Sequence, residues 1–288
     1  MEPKAGGRYI DCTLGGAGYS FKLARSAGKK GVVVALDQDE LAIGNAQRLA
    51  DREGIDNLVL VNNNFKNLIE SVQDLMATGK LKPGQFDGIV FDLGLSSAQL
   101  DDESRGFSFR GNRPLDMSFG QAVGRRTSDI INFYQHGELA RMFRELGEEK
   151  WAGKVASAVL EARKIKKIKT TAELVAVIES VLPVKQGTRI HPATKIFQAL
   201  RMETNGELEA LATALPQALS LLSVSGRLVV VSFHSGEDRI VKRFFKSEPS
   251  LDVLTKRPLA PTDEEVRENP RSRSAKLRAA IKINNFQT

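Results

Sequence analysis

Short apolar segments alternate with amphipathic segments along the first part of the chain. The apolar segments are nearly continuous and are bounded by Gly, Asp or Asn, as is typical of strands buried on both faces of a sheet. They cover 8–14, 31–36, 58–62 and 86–93. Helix-forming residues at helical spacing cover 20–27, 39–53 and 65–77. This alternation predicts an α/β fold with a parallel, doubly wound, Rossmann-like sheet and right-handed crossovers.

The pattern changes near Ser104, where a run rich in Gly, Arg, Phe and Pro begins. This run, 105–126, predicts an ordered loop, and helices without strands follow it at 136–146, 149–163, 171–182 and 192–202. After a helix at 207–222, the segment 226–233 predicts another buried strand and 237–246 an amphipathic helix. We therefore expect a discontinuous sheet domain, 1–104 and 204–288, with an all-helical domain inserted at 105–203.

Composition narrows the class of protein. The chain has 288 residues, 41% hydrophobic and 27% charged, which is typical of a globular protein and argues against wholesale disorder. The single cysteine, Cys12, excludes an internal disulfide framework, and with three histidines a structural metal site would be hard to assemble. No apolar run approaches the roughly 18 residues of a membrane span, and no signal-peptide core is present at the start. We expect a soluble, cytoplasmic protein without a membrane partner.

Glycines follow the first predicted strand, 8–14, whose later part contains Asp11. The segment TLGGAGYS at 13–20 is expected to turn from a strand into a helix, where glycines let the backbone approach a ligand closely. Asp37 ends the second predicted strand, where an acid can accept both hydroxyls of an adenosine ribose. A plain tight turn is the alternative for the glycines alone. The glycines together with Asp37 predict a nucleoside cofactor.

The order of these glycines bears on which cofactor it is. NAD enzymes prefer G-x-G-x-x-G, where a helix N-terminus receives a pyrophosphate, and this chain has a different order. S-adenosylmethionine (SAM) has no phosphate but carries an ammonium, which a carboxylate such as Asp11 can meet directly or through water. The segment therefore favours SAM.

A third acid, Asp92, ends the fourth predicted strand and is followed by LGLSSAQLD. Ligands of open α/β sheets bind beyond the carboxyl ends of the strands, so we expect Asp92 to face the same cleft as Asp11 and Asp37. Its carboxylate can accept an N–H of an exocyclic amine, which localises the nitrogen lone pair and assists later loss of the proton. Backbone carbonyls or hydroxyls of 94–97 can assist. Capping of the next turn is the alternative role for Asp92.

Six segments together resemble the MraW/RsmH family of bacterial 16S rRNA (cytosine-N4)-methyltransferases, which use SAM. They are TLGGAGYS (13–20), DLGLSSAQLD (92–101), RGFSF (105–109), PLDM (114–117), HPAT (191–194) and SFHSGEDR (232–239). The resemblance runs in the family's order from about residue 3 to 283. It implies a class I methyltransferase domain interrupted by a helical substrate-recognition domain. It also implies methylation of the N4 amine of a decoding-region cytosine, with 16S rRNA or the small ribosomal subunit as partner, and leaves a homodimer open.

The resemblance also implies a set of site residues, with Asp92 as the catalytic one. By motif position, the SAM contacts fall on Ala17, Gly18, Tyr19, Asp37, Phe65, Asp92 and Gln99. Phe65 is suited to packing on adenine, although a core Phe at a helix start is the alternative. Gln99 by itself is typical of a surface residue.

The chain departs from the family's usual pattern at three places. Tyr19 stands where the family usually has His, so we expect one polar contact to the cofactor to be altered. Gly236 stands where it usually has Leu, which we expect to loosen that turn. About twenty residues usually precede Pro3 in the family, so we expect either that part of the cleft's cover is absent or that the start of the sequence is misassigned.

Basic and aromatic residues predict where RNA binds. The runs 163–169 and 267–282 carry five and six positive charges, and are candidate phosphate contacts or, alternatively, ordinary solvated faces. The second run includes Arg271 and Arg273. In RGFSF, the residues Arg105, Phe107 and Phe109 resemble a platform for an unstacked base, with core packing as an equal alternative. His191 and His234 are candidate RNA-binding residues, although a lone His is more often a structural hydrogen-bonding group.

Three other functions stay open at this stage. DNA amino-methyltransferases carry [D/N/S]-P-P-[Y/F/W] at this position, and DLGL at 92–95 lacks both the prolines and the aromatic residue. A catalytically silent RNA-binding or ribosome-assembly factor that retains the fold is a second alternative, motivated by Tyr19. A nicotinamide-dependent dehydrogenase is a distant third.

Overall fold

The computed structural model describes residues 1–96, 99–100, 102, 105–109, 111–120, 126–182 and 191–284. The chain divides into two compact units. The sheet unit comprises Met1–Leu95 and Leu208–Thr288, and the helical unit comprises Ser96–Glu207. The helical unit thus begins earlier and ends later than the expected 105–203.

Seven strands form one sheet in the sheet unit. They are β1 (Arg8–Asp11), β2 (Val32–Asp37), β3 (Leu58–Asn62), β4 (Phe86–Asp92), β5 (Leu222–Ser232), β6 (Leu251–Val253) and β7 (Lys276–Lys282). Their spatial order is β3-β2-β1-β4-β5-β7-β6. The strands β1 to β5 pair in parallel, whereas β7 runs antiparallel to both β5 and β6. This is the expected doubly wound sheet, completed by an antiparallel C-terminal strand.

The helices are numbered along the chain. They are α1 (Gly18–Ala27), α2 (Glu40–Glu53), α3 (Leu68–Ala77), α4 (Thr127–Phe133), α5 (His136–Glu145), α6 (Ala152–Ile165), α7 (Thr171–Val181), α8 (Ala193–Asn205), α9 (Glu207–Leu221), α10 (Ser235–Ser247) and α11 (Asp263–Glu268). Short 3₁₀ turns lie at Phe65–Asn67 and Pro270–Ser274. None of the described helices is long and apolar enough to cross a membrane.

Helices cover both faces of the sheet, which explains why its central strands are apolar on both sides. On one face, Leu68 of α3 and Leu215 of α9 pack with Phe91 of β4. On the other face, the small residues Ala24 and Ala46 let α1 and α2 approach the sheet closely. In β1, Ile10 pairs with Val34 on one side and Ile89 on the other.

The helical unit has its own core and its own helix caps. Its fully buried apolar side chains include Leu139, Phe143, Val155, Ile178 and Leu200. The helix α7 begins with a capping box, in which Thr170 and Glu173 satisfy each other's backbone N–H groups. The helices α5 to α8 match the predicted series apart from shifts at their ends.

The remaining differences from the sequence prediction have local causes. The first strand ends at Asp11 rather than at residue 14, because the Asp11 carboxylate accepts the backbone N–H of Thr13 and turns the chain. The predicted helix 65–77 begins with a 3₁₀ turn, which the Asn64 side chain caps through the N–H of Lys66. The strands β6 and β7 and the helices α4 and α11 lie in segments where no specific element was predicted.

Candidate active site

Three aspartates lie at one edge of the sheet. Asp11 ends β1, Asp37 ends β2 and Asp92 ends β4. Because these strands are parallel neighbours, their carboxyl ends share one edge, which is where ligands bind in open α/β sheets. The electrostatic influence of Asp11 on the pKa values of both Asp37 and Asp92 agrees with this placement.

The glycine-rich turn after β1 has an unusual backbone. Gly15 and Ala17 have left-handed φ angles of 47° and 63°, a conformation that favours glycine. A Cβ atom added at Gly16 or Gly18 would meet no heavy atom of the described chain within 4 Å. Ala17 precedes α1 and has no side-chain oxygen to cap it. The turn therefore leaves open space beside the positive end of the α1 dipole.

Asp37 fixes this turn to the end of β2. Its Oδ2 accepts the N–H of Gly15 at 2.8 Å, and its Oδ1 accepts the N–H of Asp39 at 2.9 Å. Burial raises the pKa of Asp37 above its usual value. Each carboxylate oxygen can accept a second hydrogen bond, so Asp37 retains acceptor capacity for the two hydroxyls of a ribose.

Asp11 is fully buried and is held by residues of the same turn. Its carboxylate accepts hydrogen bonds from the Ser20 hydroxyl at 2.6 Å and from the N–H of Thr13 at 3.1 Å. Burial raises the pKa of Asp11. Asp11 therefore positions Thr13 and Ser20, and its full burial leaves no surface for a direct contact with a ligand ammonium.

Asp92 differs from the other two acids because one of its oxygens lacks a donor. Its backbone N–H donates to Thr13 Oγ1 at 2.6 Å, but its Oδ1 is buried and has no hydrogen-bond partner among the described residues. Burial, followed by the charges of Asp11 and Glu237, raises the pKa of Asp92 to about 6. A buried acceptor without a donor is costly, so this oxygen is suited to accept a hydrogen bond from a ligand.

Glu237 is a neighbour of Asp92 that sequence reasoning missed. Its Oε2 accepts the N–H groups of Phe233 and His234 at 2.8 and 3.3 Å, and its side chain is 3% exposed. His234 Nδ1 accepts the N–H groups of Gly236 and Glu237 at 3.2 and 3.4 Å, so His234 caps α10. His234 Nε2 lies 3.1 Å from Glu237 Oε1, at an angle outside hydrogen-bond geometry. The three-residue spacing of a capping box was the available signal for Glu237.

Two aromatic residues of the predicted cofactor site lie in the sheet unit. Tyr19 is 45% exposed, and burial together with the charges of Asp92, Asp11 and Glu265 raises the pKa of its phenol. Phe65 is half-buried, and its ring meets the ring of Phe91 edge to face at 5.6 Å between centroids. Phe65 thus packs on the core while keeping part of its surface exposed.

Gln99 belongs to the helical unit and is buried, contrary to the surface position expected from its identity alone. Its side-chain oxygen accepts the N–H of Ser96 at 3.0 Å, and its own N–H donates to the Ser96 hydroxyl at 3.2 Å. This reciprocal pair of hydrogen bonds has the arrangement that is typical of a capping box. The predicted contact of Gln99 with SAM stays a prediction. Ser97, Ala98 and Asp101 of the same motif lie outside the described residues.

The residues of the predicted base platform, Arg105, Phe107 and Phe109, have different surroundings. The Arg105 guanidinium donates to the carbonyls of Ser118 and Phe119 at 2.8 and 2.7 Å. Phe107 is 8% exposed and packs against Phe119, so core packing is the alternative that the structure favours for Phe107.

Phe109 and His191 form a stacked pair in the helical unit. Their ring centroids are 4.9 Å apart with an interplanar angle of 23°, and Phe109 also meets Phe197 edge to face. His191 Nδ1 accepts the N–H of Ala193, and its Nε2 lies 3.1 Å from a carboxylate oxygen of Glu179. His191 is therefore held from both nitrogens.

Only part of the run 267–282, whose cations are candidate phosphate contacts, is exposed and able to bind RNA. Arg278 is 5% exposed and binds the Asp238 carboxylate at 2.7 and 3.3 Å, and Lys282 donates to two backbone carbonyls of the sheet unit. These cations lie on β7 and stabilise the sheet unit, which corrects the expectation for this part of the run. Arg271 and Arg273 lie instead on the exposed turn Pro270–Ser274.

The sheet order with only β7 reversed, and the acids at its carboxyl edge, define a class I SAM-dependent methyltransferase. The acceptor capacity of Asp37 and the open glycine turn fit this methyl donor. The chain matches the MraW methylase family over residues 1–283 and belongs to it.

Relatives and solved structures resemble the chain over nearly its whole length. It is 41% identical to the ribosomal RNA small subunit methyltransferase H of Heliobacterium modesticaldum, covering 98% of this chain and 95% of the relative. It is 43% identical to the protein of the same name from Thermomicrobium roseum, covering 98% and 90%. An rRNA methylase structure from Streptococcus thermophilus matches 99% of this chain and 90% of its own, with 11% identity and a TM-score of 0.45.

Proposed function

We propose that this protein methylates the N4 exocyclic amine of a cytosine in the decoding region of 16S rRNA, using SAM as methyl donor. The observation that carries the proposal is the buried Asp92 Oδ1, which lacks a donor among the described residues, in a carboxyl group whose pKa is about 6. The names of the relatives support small-subunit ribosomal RNA as the substrate class.

The chain's own residues suggest how the methyl donor is held. Asp37 accepts hydrogen bonds from its ribose, and the open turn at Gly16 and Gly18 lets the backbone approach its amino-acid part. Phe65 packs against its adenine. The donor supplies a methyl group on a sulfonium, which is an electrophile that needs no further activation.

The harder problem is the nucleophile, because the lone pair of a cytosine amine is delocalised into the ring. Asp92 accepts one N–H of the amine through Oδ1, which localises the lone pair on nitrogen. With a pKa of about 6, Asp92 is mostly ionised at neutral pH and can take up the proton that the methylated amine loses. Thr13 holds the backbone of Asp92 in place for this contact. Orientation of the two reactants supplies much of the remaining acceleration.

The helical unit is, in this proposal, the substrate-recognition domain. A cytosine amine in a paired base is engaged in hydrogen bonding, so the base must leave its stack before it can meet Asp92. On the sheet unit, Arg271 and Arg273 lie on an exposed turn and are suited to contact phosphates of the same RNA.

The decisive experiment is nucleoside mass spectrometry on free 16S rRNA and on small subunits that lack the modification. Each is incubated with the purified protein and SAM, and digested nucleosides are searched for N4-methylcytidine. The matched control is Asp92→Asn, which keeps the shape of the side chain but turns one acceptor into a donor. Methylation at another base atom, or no methylation of either substrate, would refute the assignment. Absent methylation without SAM binding in calorimetry would favour the silent assembly factor.

A further inference from the structure

An exposed aromatic ring lies beside a cation on the surface of the helical unit. Phe133, the last residue of α4, is 59% exposed. The Lys167 ammonium lies over its ring, 5.0 Å from the centroid. An exposed aromatic ring beside a cation is a surface on which a nucleic-acid base can stack.

The backbone around this pair is firmly held. The Asn132 side chain donates to the Ile168 carbonyl at 2.7 Å and accepts the Ile168 N–H at 3.0 Å. The Arg163 guanidinium donates to the Ile131 carbonyl at 2.8 Å, at the end of α4. Ile168 itself is buried. These bonds fix the segment that carries Lys167 against the end of α4, so the surface exists before any partner binds.

The basic side chains of the run 163–169 differ in whether they form an ion pair with a carboxylate. Lys164 binds Glu161 at 2.6 Å, and Lys166 binds Glu173 at 2.7 Å. Within the described part of the chain, Lys167 and Lys169 make no ion pair with a carboxylate. Of these two lysines, Lys167 lies on the Phe133 ring, and Lys169 follows it two residues later in the chain.

We propose that Phe133, Lys167 and Lys169 bind a single-stranded segment of the RNA substrate, with one base stacked on the Phe133 ring and the lysines on adjacent phosphates. This inference rests on the proposed function for its partner. A mainly apolar protein partner would fit less well, because charge at the centre of such an interface is unfavourable. An exposed ring with basic residues in the adjoining segment matches the pattern by which proteins hold unstacked bases without reading their sequence.

The first test measures binding of a single-stranded oligoribonucleotide to the full chain at several salt concentrations. Because one base–aromatic stack is removed, Phe133→Ala should weaken binding about 5- to 150-fold, and Phe133→Leu, which keeps an apolar side chain, should not rescue it. Lys167→Ala should lower the slope of log K against log salt by about 0.7, the share of one single-strand phosphate contact. Lys164→Ala is the matched control, because Lys164 is already paired, and should leave the slope nearly unchanged.

A fluorescence measurement tests stacking directly. The chain has one tryptophan, Trp151, directly before α6. It lies at the opposite end of α6 from the segment 163–169, and a helix of 14 residues spans about 20 Å. In a Trp151→Phe background, Phe133→Trp should show quenching when the oligonucleotide binds, whereas Trp151 of the unaltered protein should not.

The outcomes separate this inference from the proposed function. If the unaltered protein makes N4-methylcytidine but the Phe133 variants bind and methylate RNA as it does, the binding surface is refuted and the activity stands. If no methylation occurs but the Phe133 variants lose RNA affinity, the surface stands and the activity fails. Weaker binding to whole subunits with unchanged binding to free RNA would assign the surface to a ribosomal protein and overturn the inference.

Discussion

The backbone N–H of Asp92 donates a 2.6 Å hydrogen bond to the hydroxyl of Thr13, which links the ends of β4 and β1. The same hydroxyl lies 3.4 Å from Asp11 Oδ1 and can donate to it. The position of the proposed catalytic carboxylate is therefore set by the turn that precedes α1.

Replacement of Thr13 tests this link. Thr13→Val keeps the shape but leaves the Asp92 N–H without its acceptor, so we expect a loss of about 1–2 kcal/mol in the free energy of unfolding and a clear drop in kcat. Thr13→Ser keeps the hydroxyl and should retain most of both. Urea unfolding and the methylation assay measure these effects. Equal behaviour of the two variants would show that the hydroxyl is dispensable.

Ionisation of Asp92 should cost stability in the protein without ligands. Its pKa is about 6 in the folded state against 3.8 as the ordinary value, so the folded state binds the proton more tightly and stability falls as pH rises from about 4 to 6. Asp92→Asn should therefore be more stable than the unaltered protein at pH 8, by about 1–3 kcal/mol, with little advantage below pH 4. Thermal unfolding across this pH range checks it, and a constant difference at every pH would contradict the cause.

The same pKa predicts a pH dependence of the reaction. Only the ionised carboxylate can take up the proton that the methylated amine loses, so kcat/KM should fall as pH drops through about 6. The cationic methyl donor should shift the corresponding limb of kcat to lower pH, because a nearby positive charge favours the ionised form. Initial rates on saturating and limiting RNA measure both limbs. A flat profile from pH 5 to 8 would exclude Asp92 as the titrating group.

Variants of Asp37 and Asp92 should separate the loss of cofactor binding from the loss of methyl transfer. Asp37→Ala removes the acceptor for the N–H groups of Gly15 and Asp39 as well as the proposed ribose contact, so SAM affinity should fall about tenfold or more. Asp92→Ala should abolish methyl transfer while changing SAM affinity much less. Isothermal titration calorimetry and single-turnover methylation give the two quantities. If both variants affect binding alone, the division of roles is wrong.

Replacement of His234 tests whether a histidine in a family motif acts only as a helix cap. His234→Ala removes the cap of α10 and should cost about 1 kcal/mol of stability, whereas Asn or Ser at this position should restore most of it. If His234 acts only as a cap, the Asn and Ser variants should also retain methylation. Loss of activity with restored stability would assign His234 a direct role in substrate binding.

The acids at the strand ends could be predicted from the sequence because the carboxyl ends of parallel strands share one edge. That argument reaches Asp11, Asp37 and Asp92 from the spacing of apolar segments alone. It does not reach Thr13, whose hydroxyl accepts a hydrogen bond from a strand distant along the chain. Nor does it reach Glu237, whose charge raises the pKa of Asp92 from a distant segment. Local patterns describe a strand or a cap, but they do not specify which side chain meets which across the sheet.

The many charges near the C-terminus are also the reason why the strand β7 was not predicted from the sequence. Along β7, cations alternate with apolar residues, so the segment resembles a basic RNA-binding run as much as a strand. The pairing of β7 with β5 and β6 and the burial of Arg278 against Asp238 identify the segment as a strand. The strand β6 has three residues and carries too little pattern to be predicted from its sequence.

The position of β7 between β5 and β6 has a consequence for the order in which the protein can be assembled during synthesis. The strand β4 leaves the ribosome early, but its partner β5 follows only after the whole helical unit, and β7 comes last. Until β5 arrives, β4 is an open edge with unpaired backbone groups and an uncovered apolar face. We expect the nascent chain to need protection from aggregation between the emergence of β4 and that of β5, and its sheet to be complete only when β7 arrives.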